Sequence, residues 1–410
     1  MARPHIITGL DIGTNTIKLL VGQKKAKELE IEVLDQNQEA AAGIRKGVVI
    51  NPEQVGEIIS SCVRKSEEKL GVRINSAYVN IDGSHIFTAS SRGLVSVSRA
   101  DRKISQEDIN RVIQNAQTFS LPSNKEILEV YPKEYIIDGE KGIKEPLGME
   151  GVRLEADILV LGGFSPYIKN LTQAVLAADL QVNDIILSPL ASGRAVLTPK
   201  ERELGVAVLD IGAGTSGLAV FEEGSLIHLA IFPLGSNHIT HDIAIGLTTE
   251  IETAEKIKLE YGSCVFKKTD KRKTIRLERI GGEHLLEPVV FSRKSLTDII
   301  EARVSEIFEQ TNKELKKISR AAMLPAGVVL TGGGAKISRI VELAKKDLKL
   351  PVRIGTVKGF FPAIEDPSMA TVGGLVLMGA DAEAYEEVGA FSFLKDIGAG
   401  LKKIFRAFIP

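Results

Sequence analysis

The chain has 410 residues, more than one hydrophobic core usually encloses, so two or more domains are expected. Hydrophobic content of 44% and charged content of 26% fit a soluble globular protein, and no window approaches 18 apolar residues, so no segment reads as spanning a bilayer. The net charge of −1 lacks the long-range attraction of a nucleic-acid binder, and no nucleic-acid partner is expected. Cys62 and Cys264 are isolated in sequence and fit reduced thiols, and the N-terminus carries no secretory signal pattern, so the chain reads as intracellular.

Residues 6–24 form an apolar run, Asp-Ile-Gly with a small polar tip, and a second apolar run, which reads as a β-hairpin. A third strand follows near Leu29–Leu34, then the turn-rich stretch Gly43–Ile50. Pro52 opens a helix to about Leu70, with Val55, Ile58, Ile59, Cys62 and Val63 on one face and Gly71 as its stop. Residues 76–82 read as a strand, which makes this half of a doubly wound α/β arrangement. Within 84–162, alternation over Ile86–Ser98, an amphipathic helix over Ile104–Phe119 and strands near Glu126–Asp138 and Leu154–Gly162 suggest a small inserted α/β subdomain. A helix near Pro166–Leu180 and the run Val182–Leu190 resume the parent pattern.

A second hairpin, Gly205–Glu223, opens the second half. A mainly helical stretch over 236–311 follows, broken by the basic run Lys267–Arg276, and the cluster Lys267–Arg279 reads as a solvated loop. Then come a strand at Ala326–Thr331, the turn Gly332–Gly334, a helix starting near Lys336 and a closing helix over 367–380. Asp381–Ala390 holds four acids and no base, and reads as a linker. The expected division is 1–83 with 163–200, the insertion 84–162, 201–235 with 312–380, a small subdomain 236–311, a linker 381–392 and a tail 393–410.

The two hairpins carry the chemistry. The first tip offers Asp11, Gly13, Thr14, Asn15 and Thr16, with Lys18 in the returning strand; the second offers Asp210, Gly212, Gly214, Thr215 and Ser216. Glycine lets the backbone approach phosphate, hydroxyl and amide groups add hydrogen bonds, and two such tips facing each other could clasp a triphosphate. The aspartates repel phosphate, so they make sense with a Mg²⁺ between, held largely through water. Strand, Gly332-Gly333-Gly334, helix is a flat backbone suited to a nucleoside and its first phosphate. Glu255 and Lys258, at i, i+3, read by spacing as a surface ion pair. His238 and His241 could touch one metal, and a polar helix start explains them equally.

The order hairpin, connecting helix, hairpin, triple-glycine turn, closing helix resembles the actin, heat-shock-chaperone and sugar-kinase superfamily. Its two phosphate loops and adenosine loop match Asp11–Lys18, Asp210–Ser216 and Gly332–Gly334, and its connecting helices match Ser188–Leu197 and Met369–Gly379. Within it the chain is similar along essentially its whole length to the bacterial division family FtsA, through Gly43–Val49, Ser188–Leu197, Gly235–Gly246, Ala254–Gly262 and the insertion. The resemblance implies an actin-like fold, ATP with Mg²⁺ as cofactors, Gly235, Glu255 and Lys258 beside the nucleotide, and weak ATPase at most. It further implies polymerisation on the cytoplasmic face of the membrane, tethering of FtsZ filaments and recruitment of later division proteins. Ser292–Arg303 resembles the helix that receives the C-terminal tail of FtsZ, which points to Arg293, Lys294 and Arg303.

The tail supplies an independent signal. Leu394, Ile397, Leu401, Ile404, Phe405 and Phe408 form one helical stripe, preceded by Phe393, while Lys395, Lys402, Lys403 and Arg406 lie off it. Such a helix suits a membrane surface, apolar side inward and basic side toward anionic lipid, and the alternative reading is a terminal helix docked on the protein's own core. The rival readings are a small-molecule kinase of the same superfamily, with Asp210 or Asp11 as base, and a related pilus-type cytoplasmic platform protein.

Overall fold

Two sheets of one plan form the frame of the computed structural model, which describes residues 6–25, 30–118, 121–266, 274–280 and 283–387. The first starts as an antiparallel meander, β1 (Ile6–Ile12), β2 (Thr16–Lys24) and β3 (Ile31–Ala40). The short hairpin β4 (Ile44–Arg45) and β5 (Val48–Val49) leads to helix α1 (Pro52–Leu70). The Asn51 side chain accepts from Gln54 N–H at its start, and Gly71, at φ 66°, returns its N–H to Glu67 at its end. Strand β6 (Ser76–Ile81) pairs parallel with β1.

The chain then builds a separate antiparallel sheet from β7 (Phe87–Ser96), helix α2 (Gln106–Ala116), β8 (Lys125–Ile137), β9 (Glu140–Ile143) and β10 (Arg153–Phe164), in the order β7-β10-β8-β9. Ile109, Val112 and Ile113 of α2 pack on Tyr135, Leu154 and Ile158 in a core of their own. Helix α3 (Ser165–Ala177) and β11 (Gln181–Leu187) return to the first sheet beside β6. Helices α4 (Ser188–Val196) and α5 (Pro199–Leu204) connect it to the second.

The second sheet repeats the meander as β12 (Val206–Ile211), β13 (Ser216–Glu222) and β14 (Ser225–Phe232). Helices α6 (Ser236–Leu247) and α7 (Ile251–Tyr261), hairpin β15 (Thr274–Ile280) with β16 (Glu283–Ser292), and α8 (Arg293–Lys317) follow. Strand β17 (Val328–Thr331), α9 (Ile340–Leu348) and β18 (Val352–Ile354) complete the sheet. Finally β19 (Phe360–Phe361) joins the edge of the first sheet, and α10 (Ala370–Glu387) packs on α4, β1 and β2. The orders β3-β2-β1-β6-β11 and β14-β13-β12-β17-β18 match, with the same sequence of antiparallel and parallel pairings.

Strand β12 is buried throughout, and apolar apart from Asp210, because both its faces are covered. Val206 and Val208 join the core containing the first sheet, α4 and α10; Ala207, Leu209 and Ile211 join that of the second sheet with α6, α8 and α9. Helices α4 and α10 cross so closely that a side chain at Gly374 would overlap the Ala191 carbonyl.

Four expectations change. Strand β3 runs to Ala40 because its polar second half is satisfied by α1: Ser66 and Lys69 bond Asp35, and Asn37 donates to Ser66 Oγ and the Cys62 carbonyl. Residues 274–292, expected inside a helical stretch, form the hairpin β15–β16, in which Leu277 and Ile280 turn inward while exposed Arg279 interrupts the alternation at a shift of register. The solvated-loop reading of 267–279 therefore fails from Thr274 on, and 267–273 lie outside the described residues. Helix α9 begins at Ile340, not Lys336, because Gly333–Lys336 closes a single 3₁₀ turn. Helix α10 continues through the acidic run to Glu387, with Arg194 bidentate on Asp381 at 2.8 and 3.1 Å; the tail with its stripe lies outside the described residues.

The crossing makes a stability prediction. Gly374→Ala should lower the unfolding free energy in urea by about 3 kcal/mol or more, whereas Gly333→Ala, which meets open space, should change it by less than about 0.5 kcal/mol.

Candidate functional site

A cavity of about 590 Å³ opens between the two sheets. Both hairpin tips line it, and they close identically. Gly13 N–H donates to the Thr16 carbonyl at 3.1 Å and Gly212 N–H to the Thr215 carbonyl at 2.9 Å, above the equivalent pairs Ile12–Ile17 and Ile211–Ser216. Of the residues singled out in the tips, Asp11, Gly13, Thr14, Asn15, Thr16, Lys18, Asp210, Gly212 and Thr215 face the cavity. Glu255, Lys258 and Gly332–Gly334 complete the wall. Gly214 and Gly235 stand behind it. A side chain at Gly214 would strike Thr14 and the Lys46 backbone, and one at Gly235 the carbonyls of Gly212 and Ala213.

The tips also touch across the cleft. Thr215 Oγ1 donates to Asp82 Oδ2 at 2.8 Å, and Asn15 and Asn237 exchange two amide hydrogen bonds of 3.0 and 2.7 Å. Gly47 N–H of the β4–β5 turn donates to Thr14 Oγ1 at 3.0 Å.

The two aspartates are held differently. Lys18 Nζ lies 3.3 Å from Asp11 Oδ2 and also donates to the Ser368 carbonyl at 2.8 Å. Asn80 donates to Asp11 Oδ1 at 2.8 Å and accepts from Ile12 N–H at 2.6 Å. Asp210 Oδ2 instead accepts from the hydroxyls of Ser192 and Thr371, the latter at 2.9 Å. Burial raises the Asp210 carboxyl above the usual range, against the two hydroxyls, and the Asp11 charge adds to the rise. A third carboxylate, Asp82, lines the same cavity; burial pushes it up to about 7, with the Asp210 and Asp11 charges adding to the effect and Thr215 and Gly83 opposing it.

An oxygen-only donor set in which Asp210 and Asp82 are met by neutral donors fits a hard divalent cation. No group of three or more His, Cys, Asp or Glu among the described residues is placed to chelate a metal directly.

Glu255 and Lys258 are not a surface pair. Lys258 is buried, 2.6 Å from Glu255, and donates to Thr240 Oγ1 at 2.9 Å, while Thr240 donates to Glu255. This triad joins α6 to α7 at the cavity wall. His238 caps α6: its Nδ1 accepts from Gly235 N–H at 3.1 Å, and burial lowers its pKa, which keeps the ring neutral for that role. Away from the cleft, Arg293 and Lys294 stand exposed in the first turn of α8, and Arg303 grips Asp242 at 2.6 and 3.0 Å and also pairs with Glu306.

Sequence reasoning missed Asn80, Asp82, Ser192 and Thr371, which carry no glycine signature. Asn80 and Asp82 could have been found: they sit at the carboxyl end of a strand parallel to β1, where open α/β sheets place their ligands.

The Asp82 shift sets a pH dependence. A carboxyl raised in the folded state contributes stability below its unfolded pKa and loses it as pH climbs through about 7. For the ligand-free, metal-free protein, Asp82→Asn should therefore gain Tm relative to the parent as pH rises from about 4 to about 7 and keep that gain above it. A Tm difference independent of pH would contradict the assignment.

Comparison with known proteins agrees with this architecture. The family model described as Cell division protein FtsA matches residues 207–374, and that of the SHS2 domain inserted in FtsA matches 83–161. The Cell division protein FtsA of Pseudomonas aeruginosa is 37% identical over 382 residues, covering 92% of this chain and 90% of the relative. That of Bacillus subtilis is 34% identical over 92% of this chain and 84% of its own, and that of Escherichia coli K12 31% over 98% of each. Among solved structures, the PilM-PilN type IV pilus biogenesis complex superposes with a TM-score of 0.64 at 16% identity, covering 91% of this chain and 98% of that one. MreB5 of Spiroplasma citri superposes at 0.56 and 15% identity, covering 94% and 99%. Those two likenesses concern the fold alone. With full-length relatives at this level of identity and two matched sheets around one cleft, the chain belongs to the FtsA family of cell division proteins, built on the actin-like fold.

Proposed function

We propose that this chain binds ATP with Mg²⁺ in the cleft and uses the bound nucleotide to hold its two sheets together as a membrane-associated, polymerising division protein. The observation that carries the reading is the pair of identically closed tips on one cavity, whose free N–H groups and hydroxyls suit phosphate oxygens. The fold neighbour MreB5 was solved with ADP and with AMPPNP bound. Asp11 and Asp210 would hold the cation through water, where it offsets phosphate charge. The Glu255–Thr240–Lys258 triad and the flat run Gly332–Gly334 would take the nucleoside.

The kinase alternative assigned a base role to Asp210 or Asp11. Asp11 is taken by Lys18 and Asn80, an arrangement for holding rather than for taking up a proton.

The division role adds three contacts. Arg293 and Lys294 sit at the positive end of the α8 dipole, where they weaken the helix and are free to meet an acidic segment such as the FtsZ tail. Arg303 holds α8 to α6 beneath them and borders that surface. The tail stripe from Phe393 to Phe408, with its bases, would lie in the cytoplasmic face of the membrane at the division site, where filaments recruit later division proteins.

Two measurements test this. Calorimetry should show one ATP bound per chain with Mg²⁺ present, and Lys258→Ala should weaken it by about tenfold or more, the scale of losing one buried charged contact. Deleting residues 393–410 should abolish co-sedimentation with anionic liposomes; retained sedimentation would remove the anchor assignment.

A further inference from the structure

Asp210 is oriented by the two helices that cross between the sheets. Ser192 lies on α4 and Thr371 on α10, and both hydroxyls donate to the same oxygen, Oδ2. They also meet each other at 2.9 Å. With both hydroxyl protons directed at Oδ2, the Ser192–Thr371 contact is a close approach of the two oxygens and not a third hydrogen bond. All three side chains are buried. The other oxygen, Oδ1, faces Gly332, at a distance where any side chain at that position would overlap it. Asp11, its counterpart in the first hairpin, has no such pair; it is fixed by Asn80 and Lys18.

We propose that Ser192 and Thr371 are positioning residues for Asp210. By fixing Oδ2 they point Oδ1 at the cleft, toward the hydrated cation that accompanies the bound nucleotide. The helices that carry them touch at Ala191 and Gly374, next to Ser192 and one turn from Thr371. The carboxylate therefore keeps this pose only while that crossing is intact, which ties cation affinity to the angle between the sheets. The inference rests on the nucleotide reading above and deepens it.

The test measures the binding of a fluorescent ATP analogue to the full chain in EDTA and in excess Mg²⁺. The parent should bind more tightly with Mg²⁺. Ser192→Ala and Thr371→Val should each keep the EDTA affinity within about twofold but lose about tenfold of the Mg²⁺-linked gain, the scale on which outer-shell partners act on metal sites. Thr371→Ser, which retains the hydroxyl, should restore it. Titration with Mn²⁺, followed by electron paramagnetic resonance in the presence of nucleotide, should show the same loss and the same rescue. Equal weakening in both media would mark the pair as merely structural and overturn the proposal, as would unchanged Mg²⁺ linkage or a Thr371→Ser variant no better than Thr371→Val. A parent that binds nucleotide without any Mg²⁺ gain overturns this proposal alone, whereas one that binds none in either medium overturns the nucleotide reading and this inference with it. Thermal melts establish that each variant folds; should Ser192→Ala not fold, the two Thr371 variants carry the comparison.

Discussion

Two buried carboxylates facing one cleft are the constraint that the surrounding structure answers. Asp11 and Asp210 occupy equivalent places in a duplicated hairpin, so the fold that brings the tips together also brings two like charges into a medium of low dielectric. The response is unequal. Asp11 receives a cation and an amide, while Asp210 receives two hydroxyls and nearby Asp82 a hydroxyl and a backbone N–H. Negative charge is thus balanced by a cation at Asp11 and met by neutral donors alone at Asp210 and Asp82.

That imbalance is tolerable because the frame is stiff where it matters. Helix α10 lies directly on the backbone of β1 and β2, where Gly9 and Gly22 leave no room for side chains beneath Val372 and Val376. Close approach on one side and the Gly374–Ala191 crossing on the other fix α10 between the sheet and α4. A helix held on both flanks transmits displacement rather than absorbing it, since packed interiors compress poorly. The side chains α10 sends into the cleft, with Ser368 just before its start, therefore move with the frame.

The parts legible in the sequence were those in which one local signal decided the outcome. The two hairpins announced themselves by composition, α1 by its proline and glycine ends, and the glycine turn by three residues in a row. Elements decided by tertiary partners were harder to read. The polar half of β3 looks like loop until Asp35 and Asn37 meet α1, and the alternation of β15 is cut short at Arg279. Within the site, glycine-rich backbone was readable and the side chains that orient Asp210 were not, because Ser192 and Thr371 come together only when two helices 179 positions apart cross. Lys258 misled for the same reason: its i, i+3 spacing with Glu255 is that of a surface pair, and only α6, through Thr240, makes it a buried one.

The duplication also explains why the cavity has two unlike ends. The two sheets agree strand for strand, and the tips agree hydrogen bond for hydrogen bond, so the anion-facing end is nearly symmetric. The crossovers do not agree. Between β3 and β6 the chain inserts a short hairpin and α1, but between β14 and β17 it inserts α6, α7, β15, β16 and α8. Only the second insertion reaches the cleft wall with an acid, a base and a hydroxyl, and only β17 runs into three glycines. The nucleotide proposed above would then face two demands, to be polyanionic where the halves mirror each other and flat and hydrogen-bonding where they diverge. Phosphates joined to a nucleoside meet both demands in one molecule, whereas a free polyphosphate would leave the Glu255–Lys258 wall without a partner.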